Sequence, residues 1–131
     1  MTALYLDSSA YVKVLVDETE SGALRAFLAA GGARRVSSAL LRTEALRSVR
    51  HLGSDALAIV RDGLRRVDLI EIDDRILDSA GILEPRVLRT LDAIHLATAL
   101  AIGDDLDAIV TYDERMMAAA EMLGLATETP R

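Results

Sequence analysis

The sequence predicts an α/β fold in which a short parallel β-sheet is sandwiched between helices. Apolar runs of strand length alternate with longer segments of helical spacing, an order typical of parallel sheets. Apolar residues make up 51% of the chain and aromatic residues only 3%, so the core must be aliphatic, as in helix-covered sheets. The length of 131 residues suits one domain, and we expect residues 1–131 to form it.

The first half of the chain is predicted to contain two strands and four helices. The apolar run Ala3–Leu6 is followed by turn-forming residues, which is typical of a buried strand. A Gly-Gly pair at 31–32 ends the second helix and Gly53 ends the third, after which Ser54 or Asp55 is expected to cap the fourth. The expected elements are strand 3–6, helices 10–16 and 21–30, strand 35–38, and helices 39–51 and 56–66.

The second half is organised around segment 90–103, which is apolar on almost every side and should therefore form a buried helix. Its only charged residue is Asp92. An ionised carboxylate on a buried helix needs a charged partner, hydrogen bonds or a metal ion. The expected elements are strand 67–72, helix 73–83, helix 90–103, strand 107–112, helix 114–123 and an edge strand within 126–131.

The composition excludes several kinds of site. The chain has no Cys, which rules out disulfides and thiolate metal ligands, and its two His argue against a His-rich zinc site. Oxygen ligands remain. The sequence has no apolar run of transmembrane length and no signal-peptide pattern at its N-terminus, so we expect a cytoplasmic protein without a membrane partner.

The charge is unevenly distributed along the chain. The formal net charge is −6, yet residues 34–66 carry eight Arg against three acids, whereas residues 67–131 carry five Arg against fourteen acids. Arg supplies all but one of the fifteen basic residues. Arg binds phosphate groups better than Lys does, although genomic base composition explains the same bias equally well.

Four acidic residues are candidates for a site, and each also has an ordinary interpretation. Asp7 and Asp113 directly follow predicted strands and could simply cap the next helix. Glu44 lies on the inner face of a predicted helix and could pair with Arg47. Asp92 could merely complement a helix dipole. Because ligands of open α/β sheets bind beyond the carboxyl ends of the strands, these acids are expected to converge there.

A cluster of three or four carboxylates would have its pKa values raised by mutual repulsion, or would bind a cation. Hard oxygen ligands favour Mg²⁺ or Mn²⁺, and such an ion suits phosphodiester hydrolysis. Ser9 and Thr111 lie two residues from Asp7 and Asp113 and could orient metal-bound waters, or could be turn residues. We expect His95 to be a hydrogen-bonded interior histidine.

Four segments together resemble a known family. LYLDSSAYVKV, the Glu of LLRTEALR, LDAIHLATAL and IVTYDERM, in this order and at these separations, are similar to the acidic signatures of PIN-domain ribonucleases. More narrowly they resemble the VapC-type toxins of type II toxin–antitoxin systems. The resemblance covers essentially the whole chain, and it implies a three-layer α/β/α fold.

The resemblance also implies roles for particular residues. Asp7, Glu44, Asp92 and Asp113 would form the catalytic pocket of a Mg²⁺-dependent endoribonuclease. Asp7 and Asp92 would be the principal metal ligands, and Mn²⁺ could substitute for Mg²⁺. Glu44 and Asp113 would complete the cluster and hold waters. Met116 occupies a position where some relatives carry a further acid, which leaves a second metal ion open.

The partners implied by the resemblance are single-stranded or looped RNA, a neutralising antitoxin and a second copy of the chain in a homodimer. With few aromatic side chains, RNA binding would depend on Arg–phosphate contacts. Candidates are Arg42, Arg47 and Arg50, which could equally form a solvated helix face. An alternative function is a catalytically inactive PIN-fold module that binds RNA or protein, although the retention of all four acids argues against it.

Overall fold

The computed structural model describes residues 2–131, which form five β-strands and seven α-helices. The strands are β1 (Ala3–Leu6), β2 (Arg34–Ser38), β3 (Asp68–Ile70), β4 (Leu106–Val110) and β5 (Thr127–Glu128). The helices are α1 (Ser8–Leu15), α2 (Ser21–Gly31), α3 (Leu40–Val49), α4 (Ser54–Gly63), α5 (Asp74–Gly81), α6 (Thr90–Ile102) and α7 (Glu114–Met122).

The strands form one parallel sheet with the order β3-β2-β1-β4-β5. The chain builds β1, β2 and β3 toward one edge and then returns to the other side of β1 with β4 and β5. The strand order therefore reverses between β1 and β4, which is where ligands bind in open parallel sheets. The predicted α/β fold class is confirmed.

Helices cover both faces of the central strand. Ala3 and Tyr5 of β1 pack in a core cluster with α6 and α7, whereas Leu4 and Leu6 pack in another with α1 and α2. This alternation follows from the two-residue side-chain period of a strand. Because both faces are covered, a site is expected at an end of the strands, and in open parallel sheets this is the carboxyl end.

The helix that carries Asp92 is buried over its middle, as predicted, although Leu91 and Leu100 toward its ends are exposed. All seven residues from Ala93 to Ala99 in α6 are buried, since α6 packs against the sheet and against α5. On the other side of the molecule α1, α3 and α4 share a core cluster that includes Tyr11, Leu41 and Ala45. This cluster fixes the orientation of α3, which carries Glu44.

Several predicted boundaries were wrong. Helix α1 begins at Ser8 rather than at residue 10, because the Asp7 side chain caps it. Gly53, with φ 98°, takes the N-cap position of α4, so neither Ser54 nor Asp55 is the cap. Predicted strand 67–72 shortens to β3, and predicted helices 39–51 and 56–66 end in short 3₁₀ turns. No helix within residues 2–131 has the length and apolar character needed to cross a bilayer.

Candidate active site

Asp7 is a buried carboxylate at the carboxyl end of the central strand. Its side chain is almost inaccessible, with 4% of the residue exposed. Oδ1 accepts hydrogen bonds from the Ala10 N–H at 3.0 Å and from the Ser9 hydroxyl at 2.6 Å. Asp7 is therefore the N-cap of α1, as its ordinary interpretation held, and at the same time the acid nearest the reversal of strand order.

Thr111 ties Asp7 to the end of β4. The buried Thr111 hydroxyl donates to Asp7 Oδ2 and accepts the Asp113 N–H at 3.0 Å. The Ser9 hydroxyl accepts the Tyr112 N–H at 3.0 Å and so makes a second link between the same two loops. Both hydroxyls contact Asp7 directly, so their evident role is to orient that carboxylate.

Burial raises the pKa of the Asp7 carboxyl group. The hydrogen bonds from Ser9, Thr111 and the Ala10 N–H oppose this rise, as does the proximity of His95. Removal from water disfavours the ionised form, while donors aimed at the oxygens favour it. Asp7 is thus a carboxylate whose charge is costly to bury and which the fold holds in one orientation.

Glu44 lies on α3, and its carboxylate contacts His95 on the buried face of α6. Its Oε1 lies 2.5 Å from His95 Nε2, and its side chain is 22% exposed. His95 is 2% exposed, and its Nδ1 lies 2.6 Å from the Tyr5 hydroxyl. The Tyr5 hydroxyl in turn accepts the Ser38 N–H at 3.1 Å. The expected Glu44–Arg47 ion pair does not form among residues 2–131.

Asp92 and Asp113 lie close enough to influence one another. Partial burial raises the pKa of Asp92, and the negative charges of Asp113 and Glu44 raise it further, while His95 opposes the rise. Asp113 is the N-cap of α7, where its Oδ1 accepts the N–H groups of Arg115 at 2.9 Å and Met116 at 3.3 Å. Like charges that raise a neighbour's pKa indicate an acidic cluster at this edge of the sheet.

The donor set of this cluster fits a hard cation chemically. All four candidate side chains offer carboxylate oxygens, which Mg²⁺ and Mn²⁺ prefer. In the part of the chain that the structure describes, no three His, Cys, Asp or Glu side chains converge tightly enough to enclose an ion. Mg²⁺ keeps several waters and is usually bound through only one or two protein carboxylates, so it does not require three converging side chains.

Sequence reasoning missed the buried hydrogen-bond network that supports the cluster. Tyr5 was predicted only as part of the buried strand 3–6, whereas His95 was correctly predicted to be a hydrogen-bonded interior histidine. The one available signal was that His95 follows Asp92 by three residues and so lies on the same helix face. Met116, at the position of a further acid in some relatives, is instead buried in the core beneath α7.

The fold and the acidic edge together define a PIN-like α/β/α domain, and comparison with known proteins agrees. A family model described as the PIN domain matches residues 4–122. Ribonuclease VapC46 of Mycobacterium tuberculosis is 52% identical over 130 residues, covering 99% of this chain and 99% of that protein. Ribonuclease VapC35 of the same species is 42% identical over 130 residues, covering 97% of this chain and 96% of that protein.

Solved structures share the fold at low sequence identity. The crystal structure of M. tuberculosis VapC20, a sarcin–ricin loop cleaving toxin, gives a TM-score of 0.77 at 16% identity, covering 98% of this chain and 99% of that one. A toxin–antitoxin complex from Klebsiella pneumoniae gives 0.75 at 20% identity, covering 99% and 98%. The chain belongs to the PIN-domain family, within its VapC-type group.

Proposed function

We propose that this protein is a Mg²⁺-dependent endoribonuclease and the toxin of a toxin–antitoxin pair. The observation that carries the proposal is that Glu44 of α3 lies 2.5 Å from His95, which follows Asp92 by one turn on α6, so acids from two elements meet there. In agreement with this geometry, the negative charges of Asp113 and Glu44 raise the pKa of Asp92. Such mutual repulsion costs folding free energy, and a bound cation would relieve it. The similarity to ribonucleases VapC46 and VapC35 supports the same function.

In this proposal Asp7 and Asp92 are the metal ligands, while Glu44 and Asp113 hold waters at the rim of the site. Bound Mg²⁺ would lower the pKa of a water molecule and stabilise charge on the phosphoryl oxygen. Thr111 and Ser9 keep Asp7 in a single orientation through their hydrogen bonds. The chain's own contribution is thus a rigid set of oxygen donors at the edge where β1 and β4 end.

The proposed substrate is single-stranded or looped RNA, because sequence-specific RNA recognition usually targets unpaired segments, whose bases are accessible. The acidic pocket itself repels phosphate, so binding energy must come from elsewhere. Arg42, Arg47 and Arg50, referred to below as the basic surface, are exposed on and just after α3, the helix that carries Glu44. None of these three forms an ion pair within residues 2–131.

The decisive experiment is cleavage of a labelled pool of small structured RNAs by the wild type and by Asp92→Asn, with and without Mg²⁺ or Mn²⁺. We expect metal-dependent cleavage that disappears in Asp92→Asn, since the substitution removes a charged ligand at nearly constant shape. Absence of cleavage by folded wild type with either metal would contradict the proposal and favour a binding module. Equal cleavage by both proteins would indicate a contaminating nuclease.

We further propose that the antitoxin inhibits by inserting an Arg-bearing segment into the carboxylate cluster. An Arg guanidinium pairs bidentately with carboxylates and would compete with the cation for the same oxygens. One structural neighbour is a toxin–antitoxin complex, which supports a protein partner for this chain. Titration of a basic antitoxin peptide should weaken Mn²⁺ binding, and simultaneous binding of both without competition would count against this mechanism.

A homodimer is the proposed assembly, on the basis of the family resemblance. Sedimentation velocity of the isolated chain should give a species of twice the 14.1 kDa chain mass. A concentration-independent 14.1 kDa species would contradict it.

A further inference from the structure

A chain of hydrogen bonds runs from the middle of the sheet to the acidic cluster. It begins at the Ser38 N–H at the end of β2, passes through the Tyr5 hydroxyl and the His95 ring, and ends at Glu44 Oε1. The rings of Tyr5 and His95 meet edge to face, with centroids 5.8 Å apart and planes at 83°. The network therefore connects β2, β1, α6 and α3 through side chains that are mostly buried.

The direction of the hydrogen bond between His95 and Glu44 follows from the chemistry of the acceptor. A carboxylate oxygen only accepts, so His95 Nε2 carries a proton and donates it to Glu44 Oε1. The Ser38 N–H donates to the Tyr5 oxygen, and the same oxygen lies at hydrogen-bond distance from His95 Nδ1. Tyr5 is thus the partner of the ring nitrogen that faces away from Glu44.

The network leaves Glu44 with one occupied oxygen and one available oxygen. Oε1 is held by His95, while Oε2 makes no hydrogen bond to the described residues, and the side chain is 22% exposed. His95 lies three residues after Asp92 on α6, so one turn of this helix carries both Asp92 and the group that holds Glu44. Helix α6 therefore carries Asp92 and also anchors the carboxylate that α3 presents to it.

We propose that His95 is a positioning residue that holds the Glu44 carboxylate in one orientation beside Asp92, and that it acts on the reaction only through Glu44. This inference deepens the proposed function and rests on it. A histidine that served packing alone would have no need of a short bond to a partly exposed acid at the rim of the cluster. Partners that orient a functional group typically contribute about 10- to 100-fold to activity.

Two amide substitutions separate positioning from packing. In His95→Gln the side chain is long enough for its Nε2 to reach Glu44, whereas in His95→Asn the shorter amide can reach Tyr5 but not Glu44. We expect His95→Asn to lower kcat by about 10- to 100-fold with little change in KM, and His95→Gln to recover most of that loss. Equal losses in the two variants at equal thermal stability would overturn the proposal.

A double-mutant cycle tests whether His95 acts through Glu44. The His95→Asn substitution is made in the wild type and in Glu44→Ala, and kcat is measured for all four proteins. If His95 only positions Glu44, the substitution should have no further effect once the carboxylate is gone. An equal loss in both backgrounds, or an unchanged kcat for Glu44→Ala, would overturn the proposal.

A measurement that does not depend on activity distinguishes the role of His95 from the nuclease function. In ¹⁵N-histidine-labelled protein we expect a slowly exchanging, strongly downfield Nε2–H signal that is lost in Glu44→Ala. The other histidine, His51, is exposed and should exchange rapidly with solvent. Wild type that shows this signal but cleaves no RNA would contradict the proposed function alone, whereas absence of the signal in folded wild type would overturn the role of His95.

Discussion

At the scale of single residues, the site is built on carboxylates whose burial opposes their ionisation. Asp7 is enclosed by donors from Ser9, Ala10 and Thr111, yet burial still raises the pKa of its carboxyl group. An acidic side chain thus occupies a position where a neutral one is expected to fold more easily. Such a conflict between stability and charge is typical of functional sites.

Replacing Asp7 by Asn should stabilise the protein at pH 7 by about 1 kcal/mol, within the range of about 0.5 to 2 kcal/mol that single stabilising substitutions commonly give. Because the pKa of Asp7 is raised in the folded state, folded protein holds a proton that the unfolded chain has already released. The free energy of unfolding of the wild type therefore falls as pH rises from the ordinary pKa of Asp to the raised pKa of Asp7 in the folded state. Asn retains the capping oxygen and does not ionise.

Urea denaturation in EDTA at a series of pH values would measure this effect. The advantage of Asp7→Asn should be largest at neutral pH and should disappear near the ordinary pKa of Asp, about 4. Asp92 shifts in the same direction in both proteins, so it cancels in the difference. A variant less stable than the wild type at pH 7 would show that the hydrogen bonds of the carboxylate outweigh its desolvation.

Replacing Thr111 by Val should lower kcat by about 10- to 100-fold, because the hydroxyl that orients Asp7 Oδ2 is lost at nearly constant volume. Thr98→Val is the matched control. Thr98 is equally buried, but its hydroxyl donates only to the Ile94 carbonyl one turn earlier in α6. Each variant should lose about 1 kcal/mol of stability. Similar kcat values for the two would contradict an orienting role for Thr111.

At the scale of elements, the position of Glu44 depends on how closely α1, α3 and α4 pack. Gly63 ends α4 against α1, and a Cβ at this position would lie 2.7 Å from both Leu15 Cδ1 and the Tyr11 hydroxyl. That hydroxyl donates to the Val60 carbonyl at 2.7 Å and cannot retreat without breaking this bond. The close approach of the two helices thus requires glycine for lack of space, since the φ of Gly63 is not positive.

Gly63→Ala should destabilise the protein by about 1 kcal/mol. Overpacking costs about 1 to 3 kcal/mol, which outweighs the gain of about 0.5 to 1 kcal/mol for Ala over Gly in a helix. Gly22→Ala in α2 is the control, because a Cβ there has no neighbour within 4 Å. This variant should show only the gain in stability of Ala over Gly in a helix. Chemical denaturation of both variants measures the difference. A stabilised Gly63→Ala would show that Leu15 and Tyr11 repack without cost.

At the scale of the whole molecule, charge is separated between two regions of a net acidic protein. The formal net charge is −6, but residues 34–66 carry a net positive charge that includes the basic surface. Steering and phosphate contact depend on such local potentials more than on the total. The basic surface lies on and just after α3, the helix that also carries Glu44 of the acidic cluster. In the proposed function this places phosphate-binding side chains on the same element as a residue of the site.

Replacing the basic surface by glutamines should weaken RNA binding and reduce its salt dependence. In an Asp92→Asn background, the slope of log Kd against log salt should fall by about 2, since each lost phosphate contact on a single strand contributes about 0.7. The control replaces Arg75, Arg86 and Arg131 by glutamine, which makes the same change in net charge on exposed positions outside residues 34–66. Equal effects in both variants would indicate a general charge effect.

Local pattern was sufficient to predict most elements, because strand ends and a buried helix can be recognised from apolar spacing alone. It also singled out four candidate acids, whose role in a site stays a prediction. Asp7 and Asp113 follow strands, and the carboxyl ends of parallel strands share one edge. The sequence by itself therefore determined the α/β class and the edge at which these acids lie. Boundaries were less accurate where capping decided them, as at Asp7 for α1 and Gly53 for α4.

Only the tertiary structure decided which groups support those acids. Thr111 bonds Asp7 from 104 positions away, His95 lies 51 positions from Glu44, and Tyr5 lies 90 positions from His95. Periodicity reports which face of an element is buried, but it does not specify which side chains from distant elements meet there. The hydrogen-bond partners of Asp7 and Glu44 depend on the packing of α3 and α6 around β1 and β4, and that packing is a property of the folded chain.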